Sequence, residues 1–184
     1  MKESEFFCRL ATESDVASIT ELMLLSIEIN MKEFLSSEQI EANKESMGVD
    51  FMLIEDGTYF VIETTARGRK IIVGCGGWSK RRTLFGGNHT KGRDDSFADP
   101  QNEPARIRAM YTHPEWIRMG IGSLLLTEGE SAAKKAGFKE IELGSTIPGE
   151  PLYLARGYSE ISREKRVAAN GHENIIIKMR KSLE

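Results

Sequence analysis

The chain has 184 residues, room for one full domain, and its 40% hydrophobic and 29% charged residues suit a soluble globular protein and exclude a disordered or collagen-like chain. Its 25 Lys and Arg against 28 Asp and Glu leave a formal charge of −3, which gives no general attraction to nucleic acid or an anionic membrane, so neither is expected as a partner. No run nears the roughly 18 apolar residues of a bilayer crossing, the acidic start Met1-Lys2-Glu3-Ser4-Glu5 lacks a secretion-signal core, and Cys8 and Cys75 lie apart without zinc or disulfide spacing, which together predict a cytoplasmic, metal-free protein forming a single domain over 1–184.

A first strand leads to Thr12-Glu13-Ser14-Asp15, a helix-start signal, and then to Val16, Ile19, Leu22, Met23 and Ile27 at helical spacing. A second, more polar helix is predicted between Ser36 and Met47, with Glu38, Glu41, Lys44 and Glu45 on a solvated face. Tyr59-Phe60-Val61-Ile62 and Ile71-Ile72-Val73 form an antiparallel pair through the turn Ala66-Arg67-Gly68-Arg69. The second strand runs into Gly74-Cys75-Gly76-Gly77, where either a closely approaching backbone or ligand, or a twisted and bulged strand end, accounts for the missing side chains.

Residues 80 to 103 have no periodicity, a basic half (Lys80, Arg81, Arg82, Lys91, Arg93) and an acidic half (Asp94, Asp95, Asp99, Glu103). Loops of that length are often functional, so this one is a candidate substrate cover, the alternative being a solvated insertion. Ala105 to Thr112 alternates Ile107, Ala109 and Tyr111 against Arg106, Arg108, Met110 and Thr112, which predicts a strand. His113-Pro114 ends it. A helix follows from Gly120 with the stripe Ile121, Leu125, Gly129, Ala132 and Ala136, terminated at Gly137. Lys139 to Gly144 is a further strand, Pro148 to Arg156 a short helix closed by Gly157, and Ser159 to Lys165 with Ile175 to Met179 a final strand pair around Asn170-Gly171. An exposed final pair would suit a homodimer.

The chemistry concentrates where the strand ending at Thr112 delivers a glycine turn into a helix. Such a turn leaves several backbone N–H groups without intrahelical partners, all pointing one way with the positive end of the helix dipole behind them, and that geometry binds phosphate. Gly120 and Gly122 would let a diphosphate approach, with Arg118 adding charge and Ser123 a hydroxyl. No lysine completes a Walker loop, and Leu125 stands where a dinucleotide fingerprint needs its third glycine.

The stretch Met110-Tyr111-Thr112-His113-Pro114-Glu115-Trp116, followed by Gly120-Ile121-Gly122, resembles the GNAT superfamily of acyl-CoA N-acyltransferases, whose hallmark is a strand, a His-Pro or similar turn, and Arg/Gln-x-x-Gly-x-Gly/Ala opening a helix. A second family pattern is similar to Leu152-Tyr153-Leu154-Ala155-Arg156-Gly157-Tyr158, and the beginning Arg9 to Val16 also fits. One departure is visible: the family's Arg/Gln position falls on Ile117, with the arginine one place later at Arg118, which puts the usual side-chain contact from that position in question.

The resemblance implies an α/β (α+β) fold, a mixed, mostly antiparallel sheet of six or seven strands flanked by about four helices. It implies acetyl-CoA as acyl donor and, as acceptor, an amine-bearing small molecule or a peptide N-terminus attacked directly in a ternary complex. The donor would lie along Met110, Tyr111 and Thr112, where the strand splays at a bulge, and against Arg118, Met119, Gly120, Ile121, Gly122 and Ser123. An N–H near Met110 would polarise the thioester carbonyl. Tyr153 is the candidate general acid, since a phenol can protonate the departing thiolate, and Glu103 the single best choice of base. Glu28 and Glu33 are candidates for binding a cationic acceptor, while Tyr158, Tyr111 and His113 read as structural and Cys75 as an inert buried thiol. The competing functions are a non-catalytic acyl-CoA-binding sensor or interaction module and, more remotely, a nucleotide-phosphate binder.

Overall fold

The computed structural model describes residues 5–184. Its strands are β1 (Phe7–Leu10), β2 (Tyr59–Ala66), β3 (Arg69–Ser79), β4 (Ala105–Thr112), β5 (Glu140–Ser145), β6 (Ser159–Val167) and β7 (Glu173–Ser182). They form one seven-stranded sheet in the order β1-β2-β3-β4-β5-β7-β6, antiparallel except where β4 meets β5. Five helices accompany it: α1 (Val16–Asn30), α2 (Ser37–Lys44), α3 (Phe51–Glu55), α4 (Ile121–Lys135) and α5 (Glu150–Ala155).

The expected fold is the observed one, with one helix more than anticipated. That helix, α3, has five residues, too few for a 3.6-residue period to register; Asp50 caps it by accepting the Met52 N–H at 3.1 Å. The start of α2 also hides a cap. Ser36 Oγ accepts the Gln39 N–H at 3.2 Å and Gln39 Oε1 accepts the Ser36 N–H at 3.0 Å, so a glutamine completes the reciprocal pair of cap bonds.

Successive β2 residues point to opposite sheet faces. Val61 joins the cluster of Ile19, Leu22, Met23 and Ile27 under α1, and Ile62 joins Ile121 and Leu125 under α4, so the two long helices cover opposite faces. The glycines of β3 make this packing possible. A Cβ at Gly74 would overlap Ile121, and one at Gly77 would overlap the Thr58 carbonyl, so a neighbouring backbone and the protein's own side chains occupy the space.

In β4 the strict alternation fails, and the failure positions the site. Cys75 faces Tyr111 and Gly77 faces Arg108, so one residue of β3 opposes two of β4, and Ala109 takes a left-handed φ of 50°. The extra residue reverses the facing: Ile107 packs in the core with Leu126 of α4, but Tyr111 packs with α1. Arg108, expected on a polar side, is buried against an equally buried Asp50 at 2.8 Å. Beyond Arg106, paired with Glu142, β4 and β5 part and leave the β4 edge without a strand partner.

Residues 80–104 are pinned. Arg81 grips Asp56 through two hydrogen bonds of 2.7 and 2.8 Å, Arg82 grips Glu103 through two of 2.7 Å, and Arg93 reaches Asp50 at 2.9 Å. Arg108 also donates to the Gly86 and Thr83 carbonyls at 2.6 and 3.1 Å. The basic half seen in the sequence thus ties the loop to the body through Arg81 and Arg93, while the acidic half pairs with it inside the loop.

Candidate active site

After Thr112 the chain turns sharply. His113 Nδ1 accepts the Glu115 N–H at 3.2 Å and Pro114–Trp116 make a single 3-10 turn, so His113 serves the backbone. Arg118 (φ 62°) and Gly120 (φ 86°) then adopt left-handed conformations, and nothing lies within 4 Å of where a Gly120 side chain would point. The first backbone bond of α4 runs from the Leu124 N–H to the Gly120 carbonyl at 2.9 Å. The amides of Ile121, Gly122 and Ser123 therefore have no partner among the described residues, at the positive end of a fifteen-residue helix.

These amides open onto a cavity of about 1030 Å³ that extends along the parted edge of β4. Arg118, Gly120, Ile121, Gly122 and Ser123 line it, as do Met110, Tyr111, Thr112 and Tyr153. Met119 sits in the turn but not on the lining, and Glu103 is not brought to it at all. Glu103 also accepts the Asp99 N–H at 2.8 Å, and its contact with Arg82 holds the carboxyl down to about 2, which makes it a poor proton acceptor. Gly122 has a different use from the one expected: a Cβ there would press on Leu152 at 2.8 Å, so this glycine lets α5 pack on α4.

Tyr153 is 9% exposed and stacks edge-to-face on Tyr158 with ring centroids 5.8 Å apart. Burial alone pushes its phenol up to about 12, and its hydroxyl has no hydrogen-bond partner among the described residues. Tyr158 differs: its hydroxyl lies 3.1 Å from Glu130, outside the cavity. The Tyr111 hydroxyl accepts the Gly48 N–H at 3.2 Å, a packing role.

Further lining comes from segments with no sequence signal in common: the end of α1 and the turn after it (Asn30, Glu33, Phe34), Met47, and Leu84 to Gly86 of the pinned loop. Asn30 Nδ2 donates to the Thr112 carbonyl at 2.8 Å, which ties the end of α1 to the end of β4. Glu33 is the one carboxylate among the described lining residues. Glu28 is turned to Lys32 and Lys44, 3.1 and 3.7 Å away. Among the described residues no three or more His, Cys, Asp or Glu side chains group to hold a metal ion, and no helix is long and apolar enough to cross a membrane.

The sequence profile of the acetyltransferase (GNAT) family matches residues 26–158, the span that holds the glycine turn, the parted strand and Tyr153. The chain belongs to this family. Three solved GNAT-like structures illustrate the shared fold. A GCN5-related N-acetyltransferase from Rhodopseudomonas palustris is 20% identical over 99% of this chain and 98% of that one, with a TM-score of 0.68. The yncA protein of Salmonella typhimurium, solved with its cofactor acetyl-CoA, is 17% identical over 97% and 94%, with a TM-score of 0.63. The PaiA N-acetyltransferase of Thermoplasma acidophilum, in complex with coenzyme A, is 16% identical over 97% and 99%, with a TM-score of 0.61. At these identities the likeness is one of fold. No curated protein matches the chain in sequence.

Proposed function

We propose that this GNAT protein transfers an acetyl group from acetyl-CoA to a primary amine by direct attack within a ternary complex. The observation that carries the reading is the row of unpartnered amides at Ile121–Ser123 beside the open edge of β4. Fixed N–H groups at a helix start suit a diphosphate, Arg118 adds a positive charge, and the family neighbours solved with coenzyme A and acetyl-CoA support that choice of ligand.

The chain's groups then divide the work. The N–H of Met110, on the strand that parts from β5, would polarise the thioester carbonyl; one such fixed donor typically accelerates acyl transfer by about 10² to 10³. The amine nitrogen forms its bond to the carbonyl carbon as the carbon–sulfur bond breaks. Tyr153 gives its phenolic proton to the departing thiolate and regains one from solvent, and the nitrogen gives up its second proton to water as the amide forms. Glu33 draws a cationic amine to the lining, and the amine loses its proton to water before attack. Glu103 is given no part in this scheme, because it lies off the cavity and is held by Arg82.

Acetyl-CoA incubated with a panel of primary amines should release free thiol in an amine-dependent way. Tyr153→Phe should slow turnover about 100-fold while acetyl-CoA affinity stays within about twofold. An unchanged rate removes Tyr153 from the role, and binding without thiol release for every amine favours the sensor reading. Since burial keeps the phenol protonated to about 12, the wild-type rate should rise with deprotonation of the amine and show no falling limb below about pH 10.

A further inference from the structure

Among the described residues, three that are not glycine have left-handed backbone: Arg67, Ala109 and Arg118. Arg67 and Arg118 lie in turns, whereas Ala109 lies inside a strand, next to Met110, which lines the cavity. An L-residue holds such a conformation only where its surroundings impose it. The imposing group is visible. Tyr59 is 1% exposed, and its hydroxyl donates to the Ala109 carbonyl at 2.6 Å. Tyr59 belongs to β2, so the bond passes over β3 to reach β4, and the core beneath α1 fixes the ring.

Without the bulge, β4 would regain strict alternation and every residue after Ala109 would turn to the other face. Tyr111 would leave the α1 core, and the edge carrying Met110 and Thr112 would no longer face the cavity. The bulge thus determines where the strand's donors point, and a buried hydrogen bond to its carbonyl is an effective way to hold it.

We propose that Tyr59 is a positioning residue for acyl transfer: its hydroxyl clamps the Ala109 carbonyl and so maintains the bulge that aims the Met110 N–H and the free edge of β4 into the cavity. The catalytic part of this proposal rests on the acetyltransferase reading; the conformational part does not.

Tyr59→Phe removes only the hydroxyl and tests both parts. The expected result is a fall of about tenfold in kcat, with acetyl-CoA affinity within about twofold because the α4 amides are untouched. The Ala109 Cα and Cβ chemical shifts should move away from left-handed values in the same variant. Adding Ala109→Gly should restore at least about threefold of the lost rate, since glycine adopts a positive φ without strain. A residue that merely packs predicts otherwise: unchanged Ala109 shifts, or kcat and affinity falling together with the glycine making matters worse, would overturn the proposal. If the wild-type protein transfers acetyl to no amine, the functional reading fails, and the Ala109 shifts in Tyr59→Phe still decide the clamp.

Discussion

The cavity is built in two manners. Around Gly120 it is made of backbone: a left-handed glycine, three unpartnered amides and a strand edge opened by a bulge. Around Glu33 and Phe85 it is made of side chains from three separate segments, held in place by ion pairs such as Arg93–Asp50–Arg108. Backbone donors are the same whatever residue carries them, so the first region suits a ligand common to a whole family. Side chains differ from chain to chain, so the second suits the acceptor that distinguishes one member from another.

The sharpest way to break this contrast is at the buried charges. Asp50→Asn keeps an oxygen to cap α3 but leaves Arg108 buried without its counter-charge, and should cost about 3 to 5 kcal/mol of stability in denaturant unfolding. A loss well under about 1 kcal/mol would mean that the loop 80–104 is held by something else. A smaller effect is expected at the backbone region. Gly120→Val forces a β-branched residue into left-handed backbone at the start of α4 and should weaken acetyl-CoA about tenfold by calorimetry, leaving the acceptor KM unchanged. The smallest belongs to Glu33→Gln, which should raise KM for a cationic amine about three- to fivefold with acetyl-CoA affinity unaltered. If Glu33→Gln instead weakened acetyl-CoA, the division between the two regions would fail.

The same division separates what the sequence discloses from what it hides. Gly120, Gly137, Gly157 and Gly171 all have the positive φ, between 81° and 93°, that their positions after strands and helices imply, because a turn is a local device whose residue type answers a local steric need. The strand, the glycine turn and the Tyr153 helix were legible for that reason, and the family resemblance rests on them. The bulge was not. Alanine does not advertise left-handed backbone, and the group that holds Ala109 comes from Tyr59, fifty residues earlier. Nor was the loop: the charges of residues 80–103 are plain in the sequence, but which arginine meets which carboxylate depends on β4 and α3 arriving at the same place. Glu103 illustrates the cost, since an acid just before the central strand looked available as a base and is engaged by Arg82.

The central claim is that the amides at the start of α4 hold the diphosphate of acetyl-CoA. A titration of the nitrogen-15-labelled protein with acetyl-CoA, followed through its amide resonances, tests it most directly. The account predicts that the protons of Ile121, Gly122 and Ser123 move downfield together and saturate with the binding isotherm, as amides gaining charged acceptors do. Saturable binding that leaves those three resonances in place would contradict it.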